Sequence, residues 1–556
     1  MATESVSGPK IDSTVARGAS RMGLATLMSR VLGLVREQVF AYLFGASNAM
    51  DAFNIAFRIP NLLRDLFAEG AMSAAFVPNF TRALVTSKKT AFELLTGVLA
   101  FLILSVGLIA AFGMVFSRQL VGFYASSYHA VPGKFELAAS LTRVMFPFFP
   151  LVAMAAVLMG ALNALGFFFL PAFAPVMFNV ASILACVILC PLLARFTSLD
   201  PIFGMAIGVV IGGFLQFYVQ WVQIRREGLV LREHSQAFFH PFRVSGVKHV
   251  LWLIIPGTIG LAATQLNILV NSIYATSAGP GAVSWLNYAF RLMQFPIGIF
   301  GVSLAAATLP QVSRRLAQND RAGAGAEVGN ALRMTFAVNG PAAAGLMAIG
   351  LPIVQLLFQH GRFGRADAQQ TAAAVFWYAA GLPGYSAVKV LVPVFYALGT
   401  TRIPVVASFV MVGLNALLNY VFQNVLHYPF WCLAAATSTT ATLNALVLSA
   451  YLWRRLPGSI NGGVAKSLLA QSAVSTAIGF AAIGAIRLIA PAEQLAQNIM
   501  GSRSGQFVFW ATEVAVAMIV AFLLWWGLGE LFKIPENQRA RKFFVNFLEK
   551  RLRRTG

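Results

Sequence analysis

Apolar runs of membrane-spanning length alternate with short polar segments from residue 24 to residue 532. About fourteen runs can be marked: 24–43, 60–84, 92–116, 138–163, 170–194, 203–224, 249–274, 284–309, 334–358, 370–397, 403–424, 430–453, 466–490 and 507–532. Most approach or exceed the roughly 20 residues a helix needs to cross the hydrocarbon layer. The pattern predicts an all-α polytopic membrane protein with about 14 transmembrane helices.

The polar segments sort by charge. One alternate set carries Lys88, Lys89, Arg225, Arg226, Arg232, Arg243, Lys248, Arg314, Arg315, Arg321, Arg402, Arg454 and Arg455. The opposite set holds little beyond Arg118, Lys134, Arg195, Arg362, Arg365 and Arg503. Lysine and arginine excess marks the cytoplasmic side, so both termini are expected in the cytoplasm of a bacterial inner membrane. Met1–Arg21 lacks an apolar core followed by a small-residue cleavage site, so no cleaved signal peptide is expected.

The runs also repeat. Asn54-Ile55-Ala56-Phe57-Arg58 returns as Asn287-Tyr288-Ala289-Phe290-Arg291. Val77-Pro78 with Arg82 returns as Leu309-Pro310 with Arg314, and Pro171 as Pro404, all at nearly one offset. Six spans are therefore duplicated. An even number keeps orientation, which predicts two six-helix lobes in a parallel pseudo-twofold repeat with two extra C-terminal helices. The expected division is a tail 1–23, a first lobe 24–225, a loop 226–248, a second lobe 249–455, a helix pair within 456–533 and a basic tail 534–556.

Composition sharpens this picture. The chain is 58% hydrophobic and 11% charged, against roughly 25% charged in soluble domains. Its net charge of +22 resides mainly in the loops and the C-terminal tail, as topology determinants do, so nucleic acid is not an expected partner. Cys186, Cys190 and Cys432 lie in apolar stretches without metal spacing. No phosphate-cradling Gly-Lys-Ser/Thr loop or catalytic constellation is present, so a transporter is expected rather than an enzyme, with no cofactor or metal.

The anomaly is charge inside the first two spans. Arg30, Arg36 and Glu37 lie in the first; Asp51, Arg58, Arg64, Asp65 and Glu69 lie in and before the second. An arginine or aspartate at a helix centre costs about 2.5–3.5 kcal/mol on insertion scales, so these faces must meet protein or water. Arg30 and Glu37 are seven apart and share a face across Gly33; Arg58 is one partner for Asp65. The eighth span adds Ser284, Asn287 and Arg291, with Arg291 in the repeat position of Arg58. A cavity offering several arginines suits a polyanion, because guanidinium binds phosphate bidentately and keeps its charge. The alternative is that these groups form structural ion pairs between helices. Lys389 is a further cavity or gating residue, whereas Asn179, Asn415 and Asn419 fit helix-packing hydrogen bonds.

Ser29-Arg30-Val31-Leu32-Gly33-Leu34-Val35-Arg36, Phe57-Arg58-Ile59-Pro60-Asn61-Leu62-Leu63-Arg64 and Phe67-Ala68-Glu69-Gly70-Ala71-Met72-Ser73-Ala74-Ala75-Phe76-Val77-Pro78 resemble the MurJ (MviN) family. So do Pro171-Ala172-Phe173-Ala174-Pro175, Val283-Ser284-Trp285 and Leu357-Phe358-Gln359-His360-Gly361. The resemblance implies the fold of the multidrug/oligosaccharidyl-lipid/polysaccharide exporter superfamily, with the last two helices forming a lipid-facing groove. It implies a lipid II flippase acting by alternating access, with membrane lipids and cell-wall synthesis machinery as further partners. It implies substrate contacts at Arg30, Arg36, Arg64, Arg291, Ser29, Asp51, Asn61 and Ser284. The chain departs from the pattern at Phe290 and Gln294, where relatives carry acids. Drive from an ion gradient or the membrane potential is expected. A flippase for another lipid-linked oligosaccharide shares the polyanion logic; a drug exporter of the superfamily would show a carboxylate-rich cavity instead.

Overall fold

The computed structural model describes residues 13–66, 71–230, 232–500, 502–532 and 536, and all its regular elements are helical among those residues. The chain divides into two compact units: residues 1–44 with 48–265, and residues 45–47 with 266–556. Glu69 and nearly all of the 534–556 tail fall outside the described residues.

The first unit holds α1 (Ser13–Phe44), α2 (Asn48–Arg64), α3 (Ala71–Thr86), α4 (Lys88–Val115), α5 (Ser117–Tyr124), α6 (Lys134–Met145) and α7 (Phe148–Ala164). It continues through α8 (Phe169–Leu184), α9 (Cys190–Phe196), α10 (Phe203–Arg226), α11 (Ser235–Phe239) and the start of α12 (Val247–Ser277). Its core stacks Phe76 and Phe80 of α3, Phe92, Leu95 and Leu99 of α4, Phe149 and Leu158 of α7, and Val247 and Val250 of α12. Lipid tails are as apolar as leucine, so close approach matters more than apolarity for such packing. α10 achieves it with Gly204, Gly208 and Gly212, one per turn. A Cβ at Gly204 would lie 2.7 Å from the backbone nitrogen of Cys190, and one at Gly212 2.7 Å from the Phe178 ring.

The second unit holds the rest of α12, then α13 (Ala282–Pro296), α14 (Val302–Ala317), α15 (Arg321–Phe358), α16 (Arg365–Ala380), α17 (Leu382–Ala397), α18 (Arg402–Tyr420), α19 (Cys432–Arg455), α20 (Gly462–Ile489), α21 (Ala492–Met500) and α22 (Ser502–Leu531). Val328, Leu332, Leu391, Phe395 and Leu448 form one core within it. Ile349, Ala482 and Ala517 join α15, α20 and α22 separately.

The repeat is visible in how helices break. Wide π turns follow α8 at Ala185–Leu189 and α18 at Val421–Val425. Pro78 sits inside α3 as Pro310 sits inside α14. Ten helices among the described residues are long and apolar enough to cross a membrane, or eleven with α16 and α17, bent by 44°, as one span. α1, α2 with α3, and α12 lie outside that set; α1 and α2 carry Arg30, Arg36, Glu37, Asp51, Arg58 and Arg64. The expected boundary in the 226–248 loop differs from the packing boundary at Gln265. The first turns of α12 belong with the first unit because Val247, Val250 and Ile254 are buried in its core.

Candidate functional site

In the first unit the charged residues of α1 and α2 separate into locked and open groups. α1 packs on α8, and Gly33 leaves room for Asn179, whose amide donates to the Ser29 carbonyl oxygen at 3.0 Å. This contact holds the turn that presents Arg30, which is exposed and forms no ion pair among the described residues. Two turns on, Arg36 is 6% exposed. Its guanidinium lies 2.7 Å from the Glu37 carboxylate and within 5.6 Å and 5.3 Å of the Phe40 and Phe178 ring centres. The expected sharing of a face by Arg30 and Glu37 therefore yields no ion pair: Glu37 is buried with its neighbour Arg36.

Arg64 bonds the Oδ1 oxygen of Asp65 twice, from Nε at 3.0 Å and Nη2 at 2.6 Å. The other oxygen, Oδ2, accepts from Gln265 of α12 at 3.4 Å. Asp65 thus pairs with the adjacent arginine rather than with Arg58, because the arginine fork reaches one carboxylate oxygen while Gln265 holds the other. Arg58 is half-buried, and its charge acts on Tyr124 in α5, outside the spans. Burial raises the Tyr124 phenol to about 12, with Arg58 pulling in the opposite direction.

Asp51 is fully buried, in the first turn of α2. Lys134, at the start of α6, donates to Asp51 Oδ2 at 2.8 Å and to Asn48 Oδ1 at 3.0 Å. Its ammonium lies 4.3 Å from the Tyr128 ring centre, and the Tyr128 hydroxyl donates to the Asp51 carbonyl oxygen at 3.3 Å. Burial, aided by the Asp51 charge, pushes the Tyr128 phenol well above its usual range. Sequence reasoning missed Lys134 in this role; its only signal was a solitary lysine at the mouth of an apolar span. It missed Gln265 as well, because a lone glutamine in a span carries no pattern. Asn61 is half-buried beside these groups in sequence.

In the second unit α13 carries Ser284, fully buried, with Asn287 half-buried and Arg291 exposed. Phe290 packs edge-on against Tyr378 of α16 at 5.5 Å. Gln294 is exposed, as is Lys389 on α17. The asparagines act as expected in packing: Asn415 reaches Thr440 at 3.5 Å, and Asn419 reaches Asn271 at 2.9 Å. No group of three or more metal-ligating side chains occurs among the described residues.

In the first unit this set suits anion binding, with Arg30 as an exposed fork and Arg36 and Arg64 as cations held by neighbouring carboxylates. A family model described as lipid II flippase MurJ matches residues 40–502. A Burkholderia cenocepacia protein described as lipid II flippase MurJ is 37% identical, covering 77% of this chain and 82% of the relative. A Rhizobium meliloti protein described as probable lipid II flippase MurJ is 31% identical, covering 91% and 93% respectively. Among solved structures, a lipid II flippase MurJ in an inward closed conformation superposes with a TM-score of 0.74 at 24% identity, covering 92% of this chain and 98% of that one. An inward-facing multidrug resistance MATE family transporter of the MOP superfamily superposes with a TM-score of 0.64 at 15% identity, covering 81% and 99%.

Proposed function

The chain belongs to the lipid II flippase MurJ family, and from that premise we propose that it carries lipid II across the inner membrane by alternating access. The observation that carries the reading is an exposed arginine, Arg30, without an ion pair among the described residues, on a helix that also buries a neutralised one, Arg36. An exposed guanidinium at membrane depth is costly unless water or an anion meets it. A pyrophosphate supplies two anionic groups, each able to accept a bidentate pair. Arg30 is a head-group contact of the first unit and Arg291 one of the second, Arg64 is held in readiness by Asp65 and Gln265, and the polyprenyl tail stays in lipid. Arg36 and Asp51 act by fixing the ends of α1 and α2.

The basic loops face the cytoplasm in this reading, so the head group is loaded there and released on the far side. Synthases that consume lipid II are the expected neighbours. The membrane potential, or an ion gradient, biases the cycle; one charge moved through 100 mV is worth about 2.3 kcal/mol.

The test is complementation of cells depleted of their own flippase, read by an external enzyme that cleaves only lipid II exposed on the outer leaflet. The chain restores cleavage and Arg30→Ala or Arg291→Ala does not. Restoration by both variants would overturn the arginine assignment. Failure of the well-inserted wild-type chain would point to another lipid-linked glycan.

A further inference from the structure

The segment joining α10 to α12 runs along the flank of α4. Glu93 is the last charged residue of α4. Residues 94–115 beyond it are free of charge and span about 33 Å at 1.5 Å per residue, close to the hydrocarbon thickness. Glu93 therefore marks the water-facing boundary on this helix.

The connecting segment crosses that boundary. The His234 ring meets Phe92 at 6.4 Å, beside Glu93. Val244 and Val247 lie against Gly97, where a Cβ would come within 2.9 Å of Val247. The Phe242 ring meets Phe101 edge-on at 5.8 Å. Phe101 is two turns past Glu93, about 12 Å along the axis. Its ring leans back by about one turn, as helical side chains do, so Phe242 lies several ångströms inside the boundary. That is the depth at which interfacial amphipathic elements sit.

The segment's two surfaces differ. Leu229, His234, Ala237 and Val247 are buried and fasten it to the unit. Phe239 and Trp252 are each 74% exposed, and Phe242 52%. Three large rings turned outward in so short a stretch need a covering surface. Cations accompany them: Arg225, Arg226, Arg232, Arg243 and Lys248 are all exposed. The opposing acids are Glu227, which already engages Lys88 at 3.6 Å, and Glu233.

We propose that residues 232–252 form an interfacial foot that binds anionic phospholipid headgroups of the leaflet beside the basic loops. Phe239, Phe242 and Trp252 enter the acyl boundary, and Arg232, Arg243 and Lys248 reach up to lipid phosphates along their apolar stems. This surface is separate from the arginines assigned to lipid II and depends only on membrane residence.

The test uses the full chain in nanodiscs with an environment-sensitive fluorophore on Phe239→Cys; the three native cysteines are buried. In phosphatidylcholine the emission moves to shorter wavelength and is quenched by lipids brominated near the headgroup. Phosphatidylglycerol is enriched around the chain, and Arg232→Gln, Arg243→Gln and Lys248→Gln each weaken that enrichment about fivefold. Water-like emission without quenching in either lipid would overturn the foot. Quenching without any phosphatidylglycerol preference would overturn the headgroup recognition. Lipid II binding measured alongside should survive all three glutamine substitutions, so the two readings fail independently.

Discussion

Replacing Lys134 by methionine leaves the Asp51 carboxylate buried without its cation. At 2.8 Å the gross attraction of the pair is about 6 kcal/mol with an effective dielectric near 20. Both side chains are almost fully withdrawn from solvent, at 3% and 0% exposed, so desolvation offsets much of that gain. Removing one partner is a different matter, because the remaining charge keeps its desolvation cost. Lys134→Met and Asp51→Asn should each destabilise the first unit by about 3–5 kcal/mol. The double variant should be far milder than the sum, since the Asn48 and Tyr128 contacts of Lys134 add only about 1–3 kcal/mol. Thermal melts of the purified chain at the four corners of this double-mutant cycle measure the coupling. A coupling below about 0.5 kcal/mol, the range of independent sites, would refute the idea that this pair pins the start of α2 to α6.

Other consequences are equally direct. Arg36→Ala should lower the melting temperature by removing about 3 kcal/mol, because it breaks the buried ion pair with Glu37 and two aromatic contacts; Arg36→Lys should recover only part, lacking the planar fork. Arg30→Lys should leave the melt unchanged yet lower lipid II affinity, since ammonium replaces bidentate contact with a point charge; an unchanged affinity would remove Arg30 from the contact set. Tyr124 should ionise near pH 12 rather than 10 in an ultraviolet titration, and Arg58→Ala should raise it further. The sign follows from linkage: its folded pKa is raised, so its favourable contribution is present below pH 10 and is lost as pH rises toward 12. Gly381→Ala should loosen α17 from α19, because the new Cβ would lie 2.6 Å from the Ser438 side chain; a melt equal to wild type would contradict that close packing.

What the sequence determined by itself is the class of solvent and the plan of the chain. Apolar runs with few charges leave no stable alternative to lipid-embedded helices, since every backbone group must be satisfied within its own segment. The duplicated Asn-x-Ala-Phe-Arg and Pro landmarks likewise exposed the repeat, and the paired π turns after α8 and α18 follow it. Sequence also singled out the charged strip of α1 and α2, because the cost of charge in lipid does not depend on partners. Partners are what it could not supply. Arg30 and Arg36 look alike in the one-dimensional pattern, yet packing of α1 on α8 closes Phe178 over Arg36 and leaves Arg30 open. The pattern offers Asp51 no partner, yet a lysine 83 positions later is brought to 2.8 Å of it. Asp65 reads as a partner of Arg58 until Gln265, 200 positions on, takes its second oxygen. Periodicity places a side chain on a face, but the burial and pairing of a charge depend on which distant helix covers that face, and only the tertiary structure decides that.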